Sequence, residues 1–232
     1  MSDYIQAIQL NPTYVRSLTN RGAAYDKQGD FERALADCNL AIRLDPADAT
    51  AHVKRGDIHS GLGNYSDAIA DYECATRVDP GNVEAWHKLG NTYDEINRRE
   101  KALEDYTQAL KLNPEFVPAY NSRGSLRARM GDFEGALEDF DLAVEFTPED
   151  AQAYFNRGVT HALLGRLEEA QNDFKQVIGL EPENRVAYRN LGLTFAEQGS
   201  FAAALTYLEK SAELGDLKGQ MFVHEICNLV GR

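Results

Sequence analysis

Large apolar residues recur along the chain at the spacing of buried helix faces, with polar residues between them. Between residues 151 and 184 they are Tyr154, Leu164, Leu167, Phe174, Ile178 and Leu180. Other stretches repeat the arrangement with substitutions, such as Trp86 and Tyr120 at the position of Tyr154. An aromatic stripe with this spacing reads as core. In residues 117–150 the pattern predicts a first helix from about Pro118 to Met130 and a second from about Phe133 to Phe146. Gly131-Asp132 supplies the turn, because glycine accepts the left-handed conformation that ends a helix. Pro148 closes the unit, since proline cannot continue a helix interior. Pro118 falls in the first turn of its helix, where a missing N–H costs nothing.

The helix pair is one period of a longer repeat. Pro12, Pro46, Pro80, Pro114, Pro148 and Pro182 lie 34 residues apart, and of the seven prolines only Pro118 stands outside the series. Gly22, Gly56, Gly90, Gly124, Gly158 and Gly192 keep the same interval, as do Ala34, Ala68, Ala102, Ala136, Ala170 and Ala204. Three series in one register make the chain an array of helix pairs. Small residues such as Gly158 and Ala170 fall where the two helices of a pair approach closely.

In residues 83–116 the motif is complete: Trp86, Leu89-Gly90, Tyr93, Ala102, Tyr106, Ala109 and Pro114. With that motif the chain resembles the tetratricopeptide repeat family over Val15–Lys218. The resemblance implies an all-α, right-handed superhelical solenoid of six antiparallel helix pairs. In that family, first helices line a concave groove and second helices form the convex side. The expected organisation is a half-repeat over residues 1–14, with the second helix only. Six repeats follow at 15–48, 49–82, 83–116, 117–150, 151–184 and 185–218, then a capping helix over 219–232. The start in mid-repeat fits either an array cut from a longer one or a native orphan helix. Gly219–Val230 reads as an amphipathic helix carrying Met221, Phe222, Ile226, Leu229 and Val230. It would shield the last apolar face, as solenoid ends require, with partner binding as its alternative role.

Two departures stand out. In the third repeat Asn97-Arg98-Arg99 replaces the Gly-Asp-Phe turn. Asparagine tolerates left-handed geometry better than most residues, so the turn can survive. The Arg98, Arg99 and Lys101 cluster reads as a solvated turn, with a contact point as the sharper alternative. Arg21, Arg55, Arg123 and Arg157 each precede a register glycine, and Asp37, Asp71, Asp139 and Asp173 follow them by sixteen residues. They read as structural arginine–carboxylate pairs across each helix pair. The third repeat keeps Asp105 but has Leu89 in place of the arginine, while the sixth has Leu191 and Tyr207.

Charge narrows the partners. The 37 acidic and 24 basic residues give a net charge of −13, which argues against a nucleic-acid partner and against anionic membranes. No apolar stretch is long enough for membrane insertion. No basic and apolar leader is visible at the N-terminus, so the expected location is cytoplasmic. Three cysteines form no disulfide framework, and Cys38 reads as a small buried hydrophobe. No catalytic constellation, phosphate loop or metal-ligand spacing is found, so neither catalysis, a metal nor a cofactor is expected. His59 and His161, at the position of Tyr25 and Tyr93, read as core-edge residues.

The expected function is therefore a non-catalytic scaffold that holds an extended peptide or helix of a protein partner in its concave groove. The candidate groove residues are Asn20, Lys54, Lys88, Asn91, Asn121, Ser122, Phe155, Asn156, Val159, Leu163, Arg189, Asn190 and Leu193. Asn20, Asn156 and Asn190 share one position, and a side-chain amide there can both donate to and accept from a peptide bond. The asparagine row is broken by Lys54, Lys88 and Ser122. Phe155, Val159 and Leu163 follow one another at spacings of four, with Leu193 in the Val159 register. Laid on the carboxylate clamp of the family's chaperone-tail binders, no set of three repeats supplies the pattern. The first set offers Thr19, Ala23, Lys54, Glu84 and Lys88. Two alternatives stay open: a structural or assembly subunit of a larger complex using the convex surface and solenoid ends, and the repeat region of a larger enzyme or regulator.

Overall fold

A computed structural model describes Gln6, Asn11 and residues 13–229. The expected half-repeat over residues 1–14 lies outside the described residues, apart from Gln6, Asn11, Thr13 and Tyr14, and so does Val230. Among the described residues the fold is all-α. The helices are α1 (Val15–Asp26), α2 (Phe31–Leu44), α3 (Ala49–Gly61), α4 (Tyr65–Val78), α5 (Val83–Glu95), α6 (Arg99–Leu112) and α7 (Val117–Arg129). They continue as α8 (Phe133–Phe146), α9 (Ala151–Leu163), α10 (Leu167–Leu180), α11 (Arg185–Glu197), α12 (Phe201–Glu213) and α13 (Leu217–Leu229). The chain divides into two compact units, Met1–Ala119 and Tyr120–Arg232. In the first, each helix from α1 to α6 packs on the next, and α1 also touches α3. In the second, each helix from α8 to α13 packs on the next, and α11 reaches α9 and α13.

The periodic residues set where helices stop and start. α2, α4, α6, α8 and α10 each end two residues before a periodic proline. The residue before that proline is forced out of the helical region: Asp45 has φ −139° and ψ 94°, and Thr147 has φ −139° and ψ 83°. The next helix then opens on an oxygen-bearing cap that satisfies an orphan N–H. Asp48 accepts from Thr50 and Ala51, Asn82 from Ala85, Asp150 from Gln152 and Ala153, and Asn184 from Ala187. The turn inside each repeat needs a positive φ. Gly131 supplies it at 86°, and in the third repeat Asn97 supplies it at 60° as the single positive-φ residue other than glycine among those described.

The core follows the small-residue series. Ala34, Ala68, Ala102, Ala136, Ala170 and Ala204 are fully buried. A Cβ built on Gly124 would lie 2.8 Å from the Phe140 ring, and one on Gly90 would lie 2.7 Å from the Tyr106 ring. Both aromatics are 1 % exposed. The glycine thus makes room for a ring of the facing helix, which explains why both recur with one period. At the C-terminal end α13 begins at Leu217, two residues before the expected Gly219. Its Phe222, Val223 and Ile226 pack against Leu205 and Leu208 of α12.

Candidate functional site

Four buried charge pairs join the helices of the first, second, fourth and fifth repeats. Arg21 Nε and Nη2 each donate to Asp37 at 2.7 Å. Arg55 donates to Asp71 at 2.9 and 2.6 Å, Arg123 to Asp139 at 3.0 and 2.6 Å, and Arg157 to Asp173 at 3.0 and 2.7 Å. The carboxylates are 1 to 6 % exposed. The planar fork matches the carboxylate twice, which is the strong geometry for such a bond. These hydrogen bonds hold the Arg21, Arg55 and Arg157 guanidinium groups above their ordinary pKa, against the opposing effect of burial. The spacing of sixteen residues made these pairs legible in the sequence. In two of these pairs the third nitrogen also reaches back sixteen residues into the preceding repeat. Arg55 Nη1 donates to Asn39 Oδ1 at 2.7 Å, and Arg157 Nη1 to Asp141 Oδ1 at 2.7 Å. Arg55 and Arg157 are therefore three-helix clasps.

The candidate groove residues of the first unit are largely engaged within the fold. Asn20 is exposed. Lys54 and Lys88 both close on Asp57, at 3.6 and 2.8 Å, and Tyr72 Oη donates to the same carboxylate at 2.8 Å. Asn91 occupies the Asp57 register one repeat later and accepts from Tyr106 Oη at 2.9 Å. A tyrosine fifteen residues after a polar first-helix position is the sequence signal for these bonds.

In the second unit several polar candidates are engaged as well, and apolar ones stand beside open space. Asn121 Nδ2 donates to Asp150 Oδ2 at 2.6 Å, fixing the α9 cap, and Arg189 grips Asp216 at 2.7 Å. Asn156 lies between Gln152 and Ser125, at 2.8 and 3.3 Å, and Ser122 is half-buried. Phe155 is half-buried, with its ring 5.8 Å from that of Phe174. Val159, Leu163, Asn190 and Leu193 come together around an open depression of about 230 Å³ between α9 and α11, floored by Phe174. Leu163 is 63 % exposed. Helix α13 packs on α12 through Phe222, Val223 and Ile226 and contributes no residue to the lining of this depression.

Family models described as tetratricopeptide repeat match residues 15–48, 83–116, 151–184 and 186–215, and a model described as TPR repeat matches 56–97 and 124–165. The chain belongs to the tetratricopeptide repeat family. Among curated proteins none matches the chain. Among solved structures, the chain is similar to that of MamA, with 27 % identity over 71 % of this chain and 96 % of that one, at a TM-score of 0.66. It is also similar to YrrB, described as "a TPR protein with an unusual peptide-binding site", with 27 % identity over 79 % of this chain and 95 % of that one, at a TM-score of 0.62. The pilF protein of Pseudomonas aeruginosa shares the fold, with a TM-score of 0.79 at 19 % identity over 91 % of this chain and 97 % of that one. Among the described residues no helix is long and apolar enough to cross a membrane.

The third tetratricopeptide repeat breaks the clasp. Leu89 stands in the arginine position and is 3 % exposed, and Asp105 is 8 % exposed. Asp105 Oδ2 is buried without a hydrogen-bond partner. Burial, followed by the neighbouring charge of Glu104, pushes its carboxyl up to about 7.

Proposed function

We propose that this tetratricopeptide repeat chain is a non-catalytic scaffold that binds an extended segment of a partner protein. The contact surface is the face of its first helices in the unit Tyr120–Arg232. The observation that carries the reading is the depression formed by Val159, Leu163, Asn190 and Leu193. An exposed leucine beside a half-buried asparagine offers an apolar seat and a peptide-bonding amide on neighbouring helices. Family membership supports a protein partner, and the likeness to YrrB supports a peptide ligand. Lys54 and Lys88 are both tied to Asp57, which supports a reading in which they serve structure and not a carboxylate clamp. We further propose the organisation into six repeats from residue 15 to residue 218, with α13 as a cap.

The test is a peptide-display selection on the full chain, repeated on Leu163→Asp and on Leu193→Asp. Leu163 is mostly exposed, so its replacement leaves packing almost intact, whereas Phe155→Ala would remove a ring contact with Phe174. Peptides selected on the wild type are expected to lose binding to both variants while the melting temperature of Leu163→Asp stays within a few degrees. Unchanged binding by both variants would overturn the proposal.

A further inference from the structure

The third repeat leaves an acidic vacancy whose shape is defined by its neighbours. In the second and fifth repeats the clasp arginine lies between a carboxylate sixteen residues ahead and an oxygen acceptor sixteen residues behind: Asp71 and Asn39 for Arg55, Asp173 and Asp141 for Arg157. Counted from Leu89, these positions are Asp105 and Glu73. Both acids are present and only the cation is missing. The sixth repeat shows what a complete exchange looks like. There Leu191 is accompanied by Tyr207 ahead and Lys175 behind, so no acid is left over.

The vacancy is a real space. Glu73, Trp86, Leu89, Tyr93, Glu104 and Asp105 line a cavity of about 410 Å³ between α4, α5 and α6, within the ordinary range of ligand pockets, ~300–1,000 Å³. Asp105 lies in its wall with Oδ2 unpartnered. Glu73 Oε1 accepts only the Tyr93 hydroxyl, at 2.8 Å, among the bonds described for it. Trp86 is anchored by its Nε1–H donating to Pro80 O at 3.1 Å, so its ring is held in place at the wall. Two cations of the chain also line the space. Lys101 Nζ sits 4.8 Å over the Tyr93 ring, and Arg77 Nη1 lies 3.9 Å from Cys74 Sγ. Neither makes a described hydrogen bond or ion pair to Asp105 or Glu73. The Lys101 charge offsets the burial of Asp105 only in part, since its carboxyl stays raised. A buried carboxylate without a hydrogen-bonded counter-charge is costly, and a flat cation between two carboxylates and an indole removes that cost.

We infer that this pocket takes a guanidinium group from outside the repeat, supplied by an arginine side chain of a partner protein that completes the clasp Leu89 leaves open. The pocket shares no residue with the depression at Val159 and Leu193, so the two readings stand or fall separately.

The test uses the full chain, isotopically labelled, and three probes: guanidinium chloride, a short blocked peptide with one central arginine, and the same peptide with citrulline. Nuclear magnetic resonance follows the Trp86 indole N–H and the Asp105 carboxyl carbon. The arginine peptide is expected to shift both signals saturably and to lower the Asp105 titration midpoint by about one unit. The citrulline peptide, which lacks the charge, should bind about tenfold more weakly or worse. Guanidinium chloride binding as tightly as the arginine peptide would overturn the assignment to a protein side chain. Leu89→Arg supplies the missing group from within and should abolish arginine-peptide binding. Asp105→Asn should do the same without adding bulk, which covers the case in which Leu89→Arg fails to fold. Binding retained by Asp105→Asn, or no saturable shift in the wild type, would overturn the inference. Arg77→Gln and Lys101→Gln test the chain's own cations: loss of binding in either would mean that this side chain, and not the vacancy, holds the peptide.

Discussion

Single residues in this protein are chosen by what faces them across a helix pair. Gly124 is required because the Phe140 ring lies where its Cβ would be, at 2.8 Å. Gly124→Leu should therefore overpack the α7–α8 pair and cost about 1–3 kcal/mol or more. Hydrogen exchange should show the loss concentrated in residues 117–150 and the adjoining helices, since repeat arrays couple through nearest neighbours; unchanged protection there would contradict the packing. Asn97 illustrates a different constraint, the left-handed turn with φ 60°. An alanine there keeps the fold but bears the left-handed strain, roughly 1–2 kcal/mol, whereas glycine bears none. Chemical unfolding should place Asn97→Ala below the wild type and Asn97→Gly level with it or above. Cys38 is fully buried, and burial pushes its thiol up to about 12. That accords with a cysteine that serves as packing.

Between elements, the recurrent arginine sets how firmly successive helices are joined. Where it is present, one guanidinium bonds its own second helix and, for Arg55 and Arg157, the second helix before it. Helices α5 and α6 lack that tie. Helix α6 is also preceded by Arg98 in the capping position, where its side chain makes no capping hydrogen bond. The unpaired Asp105 carries a pH signature. Its carboxyl is raised to about 7 in the folded chain, while an unfolded aspartate titrates near ~3.9. The folded state then holds the proton more tightly than the unfolded state. The stabilisation is complete below about pH 4 and is lost as pH rises through about 7. Asp105→Asn should flatten this segment of the stability-versus-pH curve. A curve for Asp105→Asn with the same decline as the wild type between those limits would remove Asp105 as its source.

For the molecule as a whole, period was the most legible quantity. The proline, glycine and alanine series placed α8 at its observed bounds and α7 within one residue, because each series answers to a local backbone or packing demand. The Arg–Asp clasps were legible for the same reason: both partners repeat. Less of the candidate face could be read. Asn121 and Arg189 look like exposed hooks in the sequence but bond Asp150 and Asp216, acids 29 and 27 residues away, in pairings that do not recur from one repeat to the next. Phe155 likewise sits against Phe174 instead of standing clear. Leu163 and Leu193, in contrast, line an open depression together with Val159 and Asn190. The most direct measurement of the functional account is an amide chemical-shift map of the full chain with a peptide selected on it. The account predicts perturbations centred on Val159, Leu163, Asn190 and Leu193 in α9 and α11. Perturbations confined to α8, α10 and α12, with those four residues unmoved, would contradict it.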